Sequence, residues 1–142
     1  MTIKKTFITL GLALATVIML PSARADEYDQ ASKLTFNKSV QIPGHVLPAG
    51  TYWFVLANIN SRNVVQVFNS DRSTLYATLL TIDADRPETT DNTAITFAER
   101  GMQAETIVFW FYPGSSYGHQ FLYSKPEEQE LARAKQRTVT VG

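Results

Sequence analysis

Between residues 34 and 42 apolar and polar side chains alternate: Leu34, Phe36, Val40 and Ile42 against Thr35, Asn37, Ser39 and Gln41, with Lys38 alone out of phase. A period of two sends one set to a buried face and the other to water, which is the pattern of an antiparallel strand. Pro43-Gly44 ends the run, and Ile42-Pro43-Gly44-His45 fits a type II turn because glycine accepts the positive φ of its third position. Leu47-Pro48-Ala49-Gly50 fits a type I turn instead, since Ala49 resists positive φ. Strand formers fill residues 51–57. Residues 63–68 and 74–82 flank the polar stretch 69–73 as a hairpin, and a charged loop over 83–92 leads to further strands at 93–98, 106–112 and 120–123.

One helix is predicted. Ser124 and Glu127 form a capping box with Pro126 inside the first turn, ahead of good helix formers up to Lys135, and Leu131 is the only large apolar side chain among them. Residues 138–141 suit an edge strand or a frayed end. About seven short strands at this turn spacing predict an all-β fold: an antiparallel β-sandwich or small barrel with Greek-key connections and a short C-terminal helix.

Two strands depart from simple alternation. In 51–57, Tyr52, Phe54 and Leu56 share one face while Trp53 and Val55 share the other. In 106–112, strict alternation puts Ile107, Phe109 and Phe111 on one face and Val108, Trp110 and Tyr112 on the other. Both faces are apolar, so loops, the helix, the opposite sheet or a ligand must cover the second one. If a ligand does, the candidate platform is Trp53, Trp110, Tyr112, Tyr117 and His119, with a sugar ring stacked on Trp53 or Trp110. The wholly apolar run over 107–112 favours the core for Trp110, which leaves Trp53, beside the Pro48–Gly50 turn, the better candidate.

The first residues change the compartment. Lys4 and Lys5 precede a 14-residue uncharged apolar run over 7–20, and Pro21-Ser22 and Ala23-Arg24-Ala25 supply a break and a small-x-small cleavage site. The run is shorter than the roughly 18–20 residues of a spanning helix. We therefore read 1–25 as a signal peptide and 26–142 as a single domain of 117 residues, exported to the periplasm or the extracellular space, with no transmembrane segment after cleavage. The remaining domain has ten basic and thirteen acidic residues, a net charge of −3, which offers no electrostatic footprint for nucleic acid. It has no cysteine, so its stability must come from its core rather than from disulfides.

Catalytic signals are sparse. His45 and His119 are the only histidines, both expected on the surface, and no spacing suggests a metal site or a cofactor. Gly114-Ser115-Ser116-Tyr117-Gly118 matches G-x-S-x-G, but a nucleophile elbow needs a strand-to-helix turn in an α/β sheet, and this stretch follows a Pro-Gly turn in an all-β chain. Glu99, Glu105, Asp83, Asp85 and Glu88, near strand ends, are the carboxylates that a small hydrolase or isomerase could use.

Residues 40–52, from Val40-Gln41-Ile42-Pro43-Gly44-His45 through Pro48-Ala49-Gly50-Thr51-Tyr52, resemble the opening of a group of small secreted bacterial proteins common in soil acidobacteria. The likeness continues through 65–69, 75–78, 95–97 and 111–118. The resemblance implies a secreted β-sandwich and carries no activity with it. The leading expectation is a non-catalytic exported domain that binds a small molecule, a glycan or an envelope protein. A loop-carboxylate enzyme and a structural protein assembling through exposed strand edges are the alternatives. Export is directly measurable: protein secreted by a bacterial host should have the intact mass of a chain beginning at Asp26, and retention of residues 1–25 would refute it.

Overall fold

The computed structural model describes residues 30–58 and 60–141; the signal peptide read over 1–25 lies outside them. The fold is all-β with one helix near its C-terminal end. Its elements are β1 (Ala31–Phe36), β2 (Val40–Ile42), β3 (His45–Leu47), β4 (Gly50–Asn58), β5 (Ser61–Asn69), β6 (Leu75–Asp85), β7 (Thr93–Ala98), β8 (Glu105–Phe111), β9 (Tyr117–Phe121), α1 (Lys125–Arg133) and β10 (Gln136–Val141). The described residues thus hold ten strands rather than about seven. The single strand expected over 34–42 is two strands broken around Lys38, the residue that spoiled the alternation. The C-terminal segment is a true edge strand, paired antiparallel with β7.

One continuous sheet folds back on itself to make two facing layers. Strands β1, β4, β5 and the first half of β6 form the first layer. From Thr81 to Asp85, β6 leaves β5 and pairs with β9, carrying the sheet into the second layer of β9, β8, β7 and β10. The β2–β3 hairpin joins this layer beside the start of β8, where Val40 and Gln41 pair with Glu105 and Thr106 in the parallel sense. Every other strand pair is antiparallel.

The core between the layers is aromatic. Phe54 of β4 makes edge contacts with Phe36 at 6.2 Å and with Trp110 and Phe121 at 6.3 Å between centroids, so one ring bridges both layers. Strict alternation in β8 fails here. Phe97 pairs with Ile107 and Thr96 with Phe109, which leaves Val108 as an extra, bulged residue. Ile107, Trp110 and Tyr112 consequently belong to the central core, while Val108 turns to the outer side with Ala98. There α1 covers it. The capping box is present, with Ser124 Oγ accepting from the Glu127 amide at 3.4 Å, and Leu131 is the buried residue of the helix, packed on Ala98 and Val108. An ion pair of 2.7 Å between Arg100 and Glu130 ties the helix to the β7–β8 loop.

The second glycine of the G-x-S-x-G stretch has a packing role. A Cβ on Gly118 would lie 2.6 Å from the Trp110 carbonyl oxygen and collide with the Phe111 ring, so β9 can pair with β8 here only through a residue without a side chain. Gly118→Ala should cost about 3 kcal/mol, the upper part of the range for overpacking, and lower the melting temperature by more than 10 °C. An unchanged melting curve would refute the contact.

Candidate functional site

The residues read as a platform do not share one exposed surface. Trp110 is fully buried, with its indole N–H donating to Ser32 Oγ at 3.2 Å. His119 lies beside it in the β8–β9 register and stacks on its ring at 5.0 Å. Tyr112 is also core. Trp110 takes the core position that the wholly apolar run over 107–112 favours. The surface expectation is corrected for Tyr112 by the β8 bulge and for His119 by the early start of β9, which draws it out of the loop and into the layer. Tyr117 at the head of β9 is exposed, and so is His45 in β3. Within the core, His119 Nδ1 meets Thr81 Oγ1 at 3.3 Å and Nε2 meets Gln30 Oε1 at 3.4 Å. Burial, reinforced by Arg62 and opposed by Asp83, lowers its pKa to about 4. It is a neutral structural imidazole and does not face Ser116, which sits in the β8–β9 loop.

Trp53 stands at the middle of the outer face of the first layer, half-buried. Lys33, Trp53, Phe68 and Leu75 are cross-strand partners in one row over β1, β4, β5 and β6. The indole N–H donates to the Ser70 carbonyl at 2.9 Å, and the Arg72 guanidinium rests 4.1 Å from the ring centroid, with Lys33 Nζ at 5.9 Å. Arg72 therefore occupies the surface on which a sugar ring was expected to stack.

A concave site that the sequence did not reveal lies at the end of the sandwich under the β2–β3 hairpin. It encloses about 190 Å³ between His45, Val46, Leu47, Pro48, Tyr52 and Tyr76. The Pro43-Gly44 turn, with Gly44 at φ +78°, folds the hairpin over, and the Gln41 amide braces it by donating to the His45 carbonyl at 2.9 Å. The Tyr52 hydroxyl donates to the Pro48 carbonyl at 2.6 Å, so the Pro-Ala-Gly-Thr-Tyr element pins the entry of its own strand. Burial, then the neighbouring Tyr76, raises the Tyr52 pKa and keeps that donor protonated. Tyr76 reaches the site because it is the extra residue of a β-bulge: Phe68 pairs with Leu75 and Val67 with Ala77. Its ring meets Tyr52 edge-on at 5.7 Å and remains 46% exposed.

Two other depressions are larger. A groove of about 360 Å³ between α1 and the outer side of β8 and β9 is lined chiefly by Val108, Phe109, Leu122, Tyr123 and Leu131. A wider polar one of about 550 Å³ at the β7–β8 loop contains Glu99 and Glu105. There Glu105 is committed to a bidentate pair with Arg137, with Arg137 Nε at 3.0 Å, and so is not free for acid–base work. Asp83, Asp85 and Glu88 are exposed. Among the described residues no three His, Asp or Glu side chains converge as metal ligands, and no helix is long and apolar enough to cross a membrane. Compared with family models, curated proteins and solved structures, the chain matches none.

The buried imidazole sets a pH dependence. Because the folded pKa of about 4 lies below the unfolded value of 6.5, the unfolded chain binds the extra proton between them. Its contribution is complete above the unfolded value and is lost as pH falls toward the folded one. It amounts to about 3 kcal/mol at 1.36 kcal/mol per unit. Urea unfolding from pH 7 to pH 4 should show His119→Gln losing less stability than the parent, and parallel curves would refute the buried neutral histidine.

Proposed function

We propose that the chain is an exported, non-catalytic binding domain of the bacterial envelope or its exterior, and that it takes one ring of a small molecule or a glycan in the His45–Tyr52–Tyr76 pocket. Support for export comes from the leader read over residues 1–25 and from the resemblance to small secreted bacterial proteins. The observation that carries the binding reading is the β-bulge at Tyr76. It spends a strand position to place an aromatic ring at a concavity, edge-on against a second aromatic ring, Tyr52, that lines the same site. Tyr76 supplies a stacking face and a hydroxyl, and His45 at the rim supplies an imidazole that can donate or accept. At about 190 Å³ the pocket is smaller than the usual 300–1,000 Å³ of drug-sized sites, so it suits a terminal ring rather than a whole oligosaccharide.

The pocket is tested by saturation-transfer NMR with neutral mono- and disaccharides and aromatic fragments. Tyr76→Ala should weaken any ligand found by at least about tenfold, or 1.4 kcal/mol. Its melting temperature should stay within a few degrees of the parent, because a half-exposed side chain contributes little burial. Full binding by Tyr76→Ala, or no binding of any such ring by the parent, would sink the reading.

A further inference from the structure

Arg72 is an unusual residue for its position. It lies in the Asn69–Thr74 turn at φ +62°, a left-handed conformation that glycine or asparagine adopts far more readily and that costs other residues of order 1 kcal/mol. The turn is otherwise built from hydrogen bonds that make no demand on its side chain. The Arg72 amide donates to the Asn69 carbonyl at 3.0 Å, Asn69 Oδ1 accepts from the Thr74 amide at 2.9 Å, and the Asp71 carboxylate accepts from the Ser73 amide at 3.1 Å and hydroxyl at 2.6 Å. What a glycine could not provide is the guanidinium held on Trp53.

That guanidinium rests on the Trp53 ring and forms no ion pair among the described residues. The side-chain ion pairs among the described residues are Arg100–Glu130 and Arg137–Glu105, and Asp71 is turned to Ser73. A guanidinium resting on an aromatic face keeps the N–H donors of its rim available, in the fork that matches a carboxylate. The indole under it is itself anchored through Ser70. Lys33 brings a second positive charge to the same ring. An anion bound at this ring would meet positive charge from both side chains.

We propose that Arg72, Lys33 and Trp53 form a carboxylate-reading shelf that accepts the uronic acid units of an acidic polysaccharide. The row that continues from Trp53 to Phe68 and Leu75 favours a saccharide over an acidic peptide. Those side chains extend an apolar strip across adjacent strands about 4.8 Å apart, on which the C–H face of a pyranose can lie beside the cation. The shelf lies on the outer face of the first layer and uses none of the pocket residues. It shares with the proposed function only the premise that this domain binds glycans.

Polygalacturonate is the probe, followed by calorimetry and by the fluorescence of Trp53, the half-exposed indole beside a fully buried Trp110. The parent should bind at low ionic strength with an affinity that falls as salt is added. Arg72→Gly should weaken binding at least tenfold with an unchanged or higher melting temperature, because glycine is at ease at that φ. Lys33→Ala should weaken it severalfold, and Tyr76→Ala should leave it intact. The shelf is overturned by parental affinity in Arg72→Gly, by no binding of polygalacturonate to the parent, or by tighter binding of polyglutamate. A tenfold loss in Tyr76→Ala with none in Arg72→Gly would assign the polysaccharide to the pocket and overturn it as well.

Discussion

The indole N–H of Trp110 cannot be buried without an acceptor, and the way that demand is met fixes how the two layers close. Its acceptor is the hydroxyl of Ser32, 78 residues earlier in the chain and on the opposite edge of the sheet. Ser32 in turn shares a hydrogen bond of 3.1 Å with Thr93 at the start of β7. The first strand is thus drawn against the second layer at a point where no backbone ladder joins them. An unsatisfied buried donor would cost about 1–3 kcal/mol, so the contact specifies one closure among those that would bury a similar apolar area. Phe54 packs edge-on against the same indole and His119 stacks on it, so the aromatic core is registered around one polar requirement.

Most of the strands were legible in the sequence because half-buried strands announce themselves by period two. β7 runs over the expected 93–98, and the helix begins at the capping box. The pattern also carried information that a simple reading passed over. Lys38 breaks the phase of 34–42 at the point where the chain leaves one layer for the other. Two bulges were not legible, because inserting one residue leaves composition and apolar content unchanged while reversing every side chain beyond it. Those bulges decided the site. One turned Trp110 and Tyr112 to the inner side of β8, and the other sent Tyr76 from the outer face into the pocket.

The apolar outer faces of β4 and β8 looked equivalent along the chain, and the structure resolves them differently. Behind β8 the helix lays Leu131 on Val108 and Ala98, and the Arg86 guanidinium lies 4.8 Å from the Phe111 ring. Behind β4 no helix lies among the described residues, and Trp53 is covered by cations from the strand and turn on either side. A helix dries a face completely, whereas long cationic side chains cover it with their stems and leave charge at the surface.

The pocket and the cationic face meet at one structural element. The Asn69–Thr74 turn carries Arg72 and hands the chain to β6 immediately before the bulged Tyr76, while Ser70 of the same turn anchors Trp53. Tyr52 and Trp53 are successive residues of β4 and therefore point to opposite sides of the sheet, one into the pocket and one onto the outer face. Two surfaces of different chemistry, one aromatic and concave, the other cationic and flat, are thus positioned by a single hydrogen-bonded hairpin at the end of a rigid layer. A loop held by its own side chains can present polar groups to a ligand without first ordering them, which removes an entropic cost that mobile binding loops must meet. Neither surface needs a titrating base, and the one histidine with a strongly perturbed pKa is sealed in the core as a neutral ring.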